Sequence, residues 1–296
     1  MGKLSLEEFD ARHKQRSALA NPLQSPYPAT QAPIAATVDS EHLNASGASL
    51  LIFLSLAIRE DKMSGQQSMM TEALRRWRII PVIRIEDPNN AVPLASALLA
   101  GGLPIAEITL RTPVALDSLR RITQEQPEMF AGAGTVLNVA QAQQARDAGA
   151  HFVVSPGFSR AVVDYCLEHD VPVYPGVATA TEIEAALETG LRLLKLWPIA
   201  TLGGVPYLEL LSGPFGGVEF NPSGGVTGAN FESYLGLKNV VACGGSWMAP
   251  PEWIAAREFE KIRTAVRDTV RKVSLLSPGR KRSGETSAFQ DAVSPR

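Results

Sequence analysis

Cysteine is nearly absent: Cys166 and Cys243 are the two thiols in 296 residues. Such a pair does not build the disulfide framework of a small secreted domain, and it suits a reducing cytoplasm. Histidine is also scarce. His13, His42, His151 and His169 show neither helical pair spacing nor a Cys/His cluster, so no metal site is indicated. Aromatics make up 6% of the chain and the formal net charge is -2, which leaves no clustered basic excess for nucleic acid. The apolar stretch Ala48 to Ile58 is shorter than the roughly 20 residues that span a bilayer, and it lies too far in for an ordinary signal peptide. Neither membrane nor nucleic acid is an expected partner. What remains, 45% hydrophobic and 20% charged, is the make-up of an ordinary globular protein, long enough for one large α/β barrel or two smaller domains.

Residues 1–65 differ from the rest. They are rich in Ser, Ala, Pro and Gln, with the run Asn21 to Pro28 in the middle, and this composition predicts a poorly ordered extension. A targeting peptide fits less well, because acidic residues are present and Arg is sparse. Met63, Met69 and Met70 are alternative starts. The tail 276–296, with Lys281, Arg282, Ser283 and Gly284, is similarly polar and predicted to be disordered.

Between these ends, in 66–275, short apolar strands alternate with helix-like stretches, the pattern of βα units and a parallel sheet. Eight strand candidates can be counted: Ile79 to Ile85, Ile105 to Leu110, Met129 to Val136, Phe152 to Pro156, Val171 to Val177, Leu193 to Pro198, Val218 to Asn221 and Val240 to Cys243. Several of the intervening helices stop at glycine, as at Gly101, Gly149 and Gly190, where a C-cap is expected. The last helix is expected to run unbroken from Pro251 to Lys272, and a leading helix, about Gln67 to Trp77, could close the bottom of a barrel. The prediction is a single small (β/α)8 TIM barrel. A doubly wound sheet is the rival, but there is no Gly-x-Gly-x-x-Gly after the first strand.

Lys195 is one ammonium inside the apolar run Leu193 to Pro198. Burying a cation without a partner is costly, and the usual relief is a lowered pKa, which makes the amine a nucleophile for Schiff-base chemistry. On the second strand, alternation puts Glu107, Thr109 and Arg111 on one face, which in a barrel can be the interior. Glu107 could then shuttle protons for Lys195, or the two could form a structural ion pair. Two glycine-rich turns, Pro222 to Val226 and Gly244 to Trp247, follow the last two strands, where barrels hold phosphate; each following helix start would add its positive end. The segments Gly132 to Val136 and Ser155-Pro156-Gly157 could line the mouth, with the Thr135 hydroxyl among their groups, or be tight turns. Trp197 is either a wall of the site or a core aromatic. Cys166 and Cys243 are expected to be packing residues.

Taken in order, Pro81-Val82-Ile83, Ala106 to Thr112, Gly132 to Leu137, Ser155-Pro156-Gly157, Lys195 to Pro198, Pro222 to Val226 and Gly244 to Trp247 carry a resemblance. From about Thr71 to Lys272 the chain resembles the 2-keto-3-deoxy-6-phosphogluconate aldolase family, which also handles 4-hydroxy-2-oxoglutarate. The resemblance implies a class I aldolase, a homotrimeric cytoplasmic barrel acting on a keto acid with no cofactor and no metal. It implies Lys195 as the Schiff-base lysine and Glu107 as its general acid/base. Arg111, Thr135 and Pro156 would hold the pyruvyl carboxylate, and Gly224, Gly225, Gly245 and Ser246 the phosphate. The chain departs from the family at Leu196, where an aromatic is usual, at Ile199-Ala200 in place of Ala-Glu, and at Ser223 in place of threonine. The second class weighed is a phosphosugar isomerase or synthase barrel without covalent lysine chemistry.

Overall fold

The structure, a computed structural model, describes residues 69–276. The expected extension 1–65 and nearly all of the tail lie outside these residues.

A leading helix α1 occupies 69–77 and is followed directly by β1 (Ile79–Ile83). The order then runs through a 3-10 turn (Pro88–Asn90), α2 (Ala91–Ala100), β2 (Ile105–Thr109), α3 (Ala115–Glu125), β3 (Phe130–Gly134) and α4 (Val139–Asp147). Next come β4 (Val153–Val154), α5 (Arg160–Glu168), β5 (Val173–Tyr174), β6 (Gly176–Val177), α6 (Ala180–Leu187) and β7 (Leu193–Leu196). The last part contains α7 (Ile199–Leu202), α8 (Val205–Leu211), β8 (Glu219–Pro222), α9 (Phe231–Leu235), β9 (Cys243–Gly245), α10 (Pro251–Ala255) and α11 (Phe259–Leu275). All strand pairings among the described residues are parallel, in a six-stranded sheet of order β5-β4-β3-β2-β1-β9 and a three-stranded sheet of order β6-β7-β8. Strands β2, β3 and β7 are buried at every position, as expected where helices cover a parallel sheet.

The two sheets meet within one stretch of chain. β5 and β6 are separated only by Pro175, which has no N–H to give to the ladder. The Pro175 carbonyl nevertheless accepts from the Lys195 N–H at 2.9 Å, and the Gly176 N–H donates to the Ser155 carbonyl at 2.9 Å. On the far side, an isolated parallel bridge joins Phe220 to Val240, and the Val241 N–H donates to the Phe220 carbonyl at 3.0 Å.

Several sequence boundaries move. β3 stops at Gly134 because Thr135 adopts φ 59, a left-handed conformation that cannot continue a strand. The eighth expected strand corresponds to β9, which starts only at Cys243, and Val240 keeps only its bridge. The final helix is not continuous. It breaks between Ala255 and Phe259, where Arg257 takes φ 57. The C-cap of α2 does fall on Gly101, as expected, with Gly102 after it taking the left-handed φ of 88. Helix α7, squeezed between Pro198 and Gly203, was not anticipated.

Inward-facing aromatics fill one end of the interior. The rings of Phe130 and Phe152 are 5.3 Å apart, and those of Phe152 and Tyr174 5.9 Å apart. Trp77, at the end of α1, reaches Phe130 at 6.1 Å, so the leading helix packs against the end of β3 where that strand begins. Gly132 admits the Phe152 ring, which a β-carbon there would strike. The other end of the strands is left for polar groups.

Candidate active site

Lys195, in the middle of β7, is 4% exposed, and Glu107, in the middle of β2, is 1% exposed. Nζ of Lys195 donates to both carboxylate oxygens of Glu107, at 2.8 Å to Oε1 and 3.1 Å to Oε2. Taking either charge out of water alone would cost several kcal/mol, and the pair offsets much of that. The neighbouring strand makes room for it. Glu107 is level with Gly132 of β3, and a β-carbon on Gly134 would collide with the Glu107 carboxylate.

Thr109 and Trp197 stand two residues further along than Glu107 and Lys195, and both line a cavity of about 300 Å³. By alternation, the ion pair lies one side-chain layer below that cavity. Thr109 is held by donating its hydroxyl to the Ile83 carbonyl at 2.8 Å. Trp197 is 36% exposed, which makes it a wall of the cavity and not a core aromatic.

Arg111 also lines the cavity, and its Nε donates to Oγ1 of Thr135 at 3.0 Å. A β-branched residue at φ 59 is costly, and here that backbone carries the hydroxyl to the guanidinium. Pro156 is not among the residues lining the cavity. It follows β4, and its carbonyl lies where a β-carbon on Gly176 would sit.

The glycine turns line the same cavity, with Gly224, Gly225, Gly245 and Ser246. Gly224 and Gly225 take φ 83 and 93. A β-carbon on Gly224 would come 2.8 Å from the Trp197 ring, and one on Gly225 would strike Ala200. The carbonyls of Ser223 and Gly224 accept from the N–H groups of Ile199 and Ala200, at 2.9 and 3.0 Å, which fixes the first turn against α7. The next helices begin only at Phe231 and Pro251, so no helix start follows the first turn directly, while Pro251, the first residue of α10, lines the cavity beyond the second.

Two residues escaped the sequence reading. Arg84, just past β1, lines the same cavity and pairs with the exposed Glu86. Asn221, on β8, is the register partner of Lys195 and 1% exposed. Its signal was available: like Lys195, it is a polar residue set in an apolar strand. Beneath the pair, burial pushes the Tyr174 hydroxyl well above its usual pKa, and the Glu107 charge adds to the shift, so it stays a neutral O–H. The two cysteines are free and buried. Burial pushes the Cys166 thiol up to about 12 and raises Cys243 as well, which suits packing rather than thiolate chemistry.

Parallel strands with a buried lysine–carboxylate pair beneath a cavity at their carboxyl ends define an α/β enzyme. The family KDPG and KHG aldolase matches residues 70–265. The 2-dehydro-3-deoxy-phosphogluconate aldolase of Treponema pallidum is 47% identical over 205 residues, 69% of this chain and 98% of that protein. Among solved structures, a KDPG aldolase from Legionella pneumophila, with pyruvate captured at low pH as a covalent carbinolamine intermediate, superposes with a TM-score of 0.66 at 38% identity, covering 67% of this chain and 97% of that one. The 2-keto-3-deoxy-6-phosphogluconate aldolase of Zymomonas mobilis ZM4 with 3-phosphoglycerate gives a TM-score of 0.63 at 36% identity, covering 67% and 93%. The chain belongs to the KDPG and KHG aldolase family, and it is a carbon–carbon lyase.

Proposed function

We propose that the enzyme cleaves 2-dehydro-3-deoxy-6-phosphogluconate to pyruvate and glyceraldehyde 3-phosphate, and 4-hydroxy-2-oxoglutarate to pyruvate and glyoxylate. The observation that carries this reading is the buried ion pair, Lys195 Nζ at 2.8 Å from Glu107 Oε1. Transfer of one Nζ proton to Glu107 gives the free amine. Nζ then bonds to C2 of the keto acid, and the carbonyl π pair moves to oxygen, which takes the proton back from Glu107. A second N–H proton passes to Glu107 and on to the C2 hydroxyl, which leaves as water, and the nitrogen lone pair closes the iminium. Glu107, again a carboxylate, removes the C4 hydroxyl proton. The C3–C4 pair becomes the enamine double bond, the iminium π pair returns to nitrogen, and the aldehyde departs. Protonation at C3 and hydrolysis release pyruvate and restore Lys195. The carbinolamine in the Legionella relative is the kind of intermediate this sequence requires.

Arg111, set against Thr135, is the cation for the pyruvyl carboxylate, with Pro156 nearby on the next strand end. Gly224, Gly225, Gly245 and Ser246 offer backbone and hydroxyl donors to the phosphate, with Arg84 on the same cavity. Trp197 walls the space between. The phosphoglycerate held by the Zymomonas relative supports a phosphate end. The fold reading that goes with this is a closed (β/α)8 barrel, with β5 and β6 one broken strand; the Phe220–Val240 bridge supports closure. A homotrimer in the cytoplasm completes it, the free cysteines suiting a reducing compartment.

Borohydride reduction in the presence of pyruvate tests the chemistry. A mass increase on Lys195 is expected. An increase on another lysine, or none, would favour a phosphosugar isomerase or synthase working without a covalent lysine. Pyruvate release from phosphorylated and unphosphorylated keto acids, compared in one coupled assay, tests the substrate.

A further inference from the structure

Asn221 is buried to 1% exposure, and neither its Nδ2 nor its Oδ1 has a hydrogen-bond partner among the described residues. Leaving a buried polar group unpaired is destabilising, and folded proteins avoid it unless something else completes the bonding. The position narrows what that could be. Asn221 and Lys195 are register partners on adjacent parallel strands, so their side chains leave the same face of the sheet side by side. Gly244, on the other flank, keeps the space open: a β-carbon there would lie 3.0 Å from Asn221 Oδ1 and 3.2 Å from Ser223 Oγ. Ser223 itself lines the cavity. The Asn221 amide therefore sits between the amine and the cavity's glycine side, with a donor edge and an acceptor edge both unused.

A donor and an acceptor side by side are the complement of a hydroxyl or a water. The chemistry at Lys195 makes and expels one such oxygen. We infer that Asn221 binds the oxygen on C2 of the keto acid, donating from Nδ2 as the carbonyl becomes a carbinolamine hydroxyl and accepting its O–H at Oδ1. It keeps hold of that oxygen as the C2–O bond breaks and water leaves with the proton delivered by Glu107. In the reverse direction the same amide presents water to the iminium carbon. Glu107 moves the protons, and Asn221 places the oxygen. The inference rests on the Schiff-base reading and adds a residue to it.

Asn221→Leu keeps the size and removes both hydrogen-bonding edges. Exchange of the pyruvate carbonyl oxygen with 18O-labelled water counts cycles of iminium formation and hydrolysis, and should fall about tenfold to a hundredfold. The kcat for the phosphorylated keto acid should fall with it while KM changes less than about threefold, because the carboxylate and phosphate ends are untouched. The melting temperature should stay level or rise, since an unpaired amide has been replaced by an apolar group. Asn221→Ser, which keeps a hydroxyl and leaves room for a water, should recover part of the exchange rate, and it carries the test if the leucine variant does not fold. Exchange within about twofold of the parent in a folded variant overturns the inference and makes Asn221 a packing residue. A parent enzyme that is not trapped at Lys195 by borohydride, and does not exchange the oxygen, sinks the Schiff-base reading and this inference with it.

Discussion

Gly134 leaves the space that the Glu107 carboxylate fills, and a β-carbon at Gly134 would overlap Oε1. The glycine is there for what its neighbour's side chain needs, since Gly134 itself ends β3 without a positive φ. Gly134→Ala is expected to cost about 1–3 kcal/mol by overpacking. It should also lower kcat by pushing Glu107 away from Lys195. Urea denaturation and the pyruvate-release assay check the two effects together; an alanine variant with parental kcat would show that Glu107 tolerates displacement.

The buried pair makes a double-mutant prediction. Glu107→Leu leaves the Lys195 ammonium without its counter-charge at 4% exposure, and should destabilise by about 3–5 kcal/mol. Adding Lys195→Met should return most of that loss, because an apolar pair replaces the ionic one. Equal instability of the single and double variants would argue against the coupling. Glu107→Gln should reduce turnover by about a hundredfold to ten-thousandfold.

Thr135 holds φ 59 while its hydroxyl accepts from Arg111 at 3.0 Å. Thr135→Gly relieves that backbone and should raise stability by up to about 1 kcal/mol, while KM for the keto acid rises because Arg111 loses its support. A rise in melting temperature together with a rise in KM is the expected signature. A fall in melting temperature with KM unchanged would mean that the threonine serves the fold alone.

Arg84 shares the cavity with Gly224, Gly225, Gly245 and Ser246. Arg84→Ala should raise KM for the phosphorylated keto acid about tenfold and leave the unphosphorylated one within about twofold, as expected for loss of one partly exposed cation facing a phosphate. The ratio of the two KM values is the measurement, and a parallel rise in both would remove Arg84 from phosphate recognition.

Burial lowers the pKa of His151 from its ordinary 6.5, with the hydrogen bond to the Ala131 carbonyl opposing the shift. The unfolded chain then takes up a proton before the folded one does. The contribution to stability is complete above about 6.5 and is lost as pH falls toward the depressed folded value. Denaturation midpoints measured between pH 8 and pH 5 should show a decline that His151→Phe flattens, and an unchanged slope in the variant would assign the decline to other groups.

Much of the strand–helix order was legible because burial on a parallel sheet writes itself into composition. The runs around Ile105 and Leu193 are apolar at nearly every position because both of their faces are covered. Lys195 and Glu107 stood out against that background. Boundaries were less legible. The stop at Gly134 depends on the left-handed turn at Thr135, and the break at Arg257 on another positive φ, neither of which residue type announces. Helix periodicity read through Arg257 as though the chain continued straight.

The sequence by itself determined the family, the alternation of elements and the few polar residues set in apolar strands, since each of these is a local pattern. Tertiary structure alone decided that Lys195 and Glu107, 88 residues apart, meet at 2.8 Å, and that Gly134 clears the space for their contact. It also decided that Arg84 joins the glycine turns on one cavity and that Asn221 stands beside Lys195 with its amide unpaired among the described residues. The reason is register: which residues of neighbouring strands lie level is set by how the sheet closes and packs, and a single-residue slip would send each of these side chains to the opposite face.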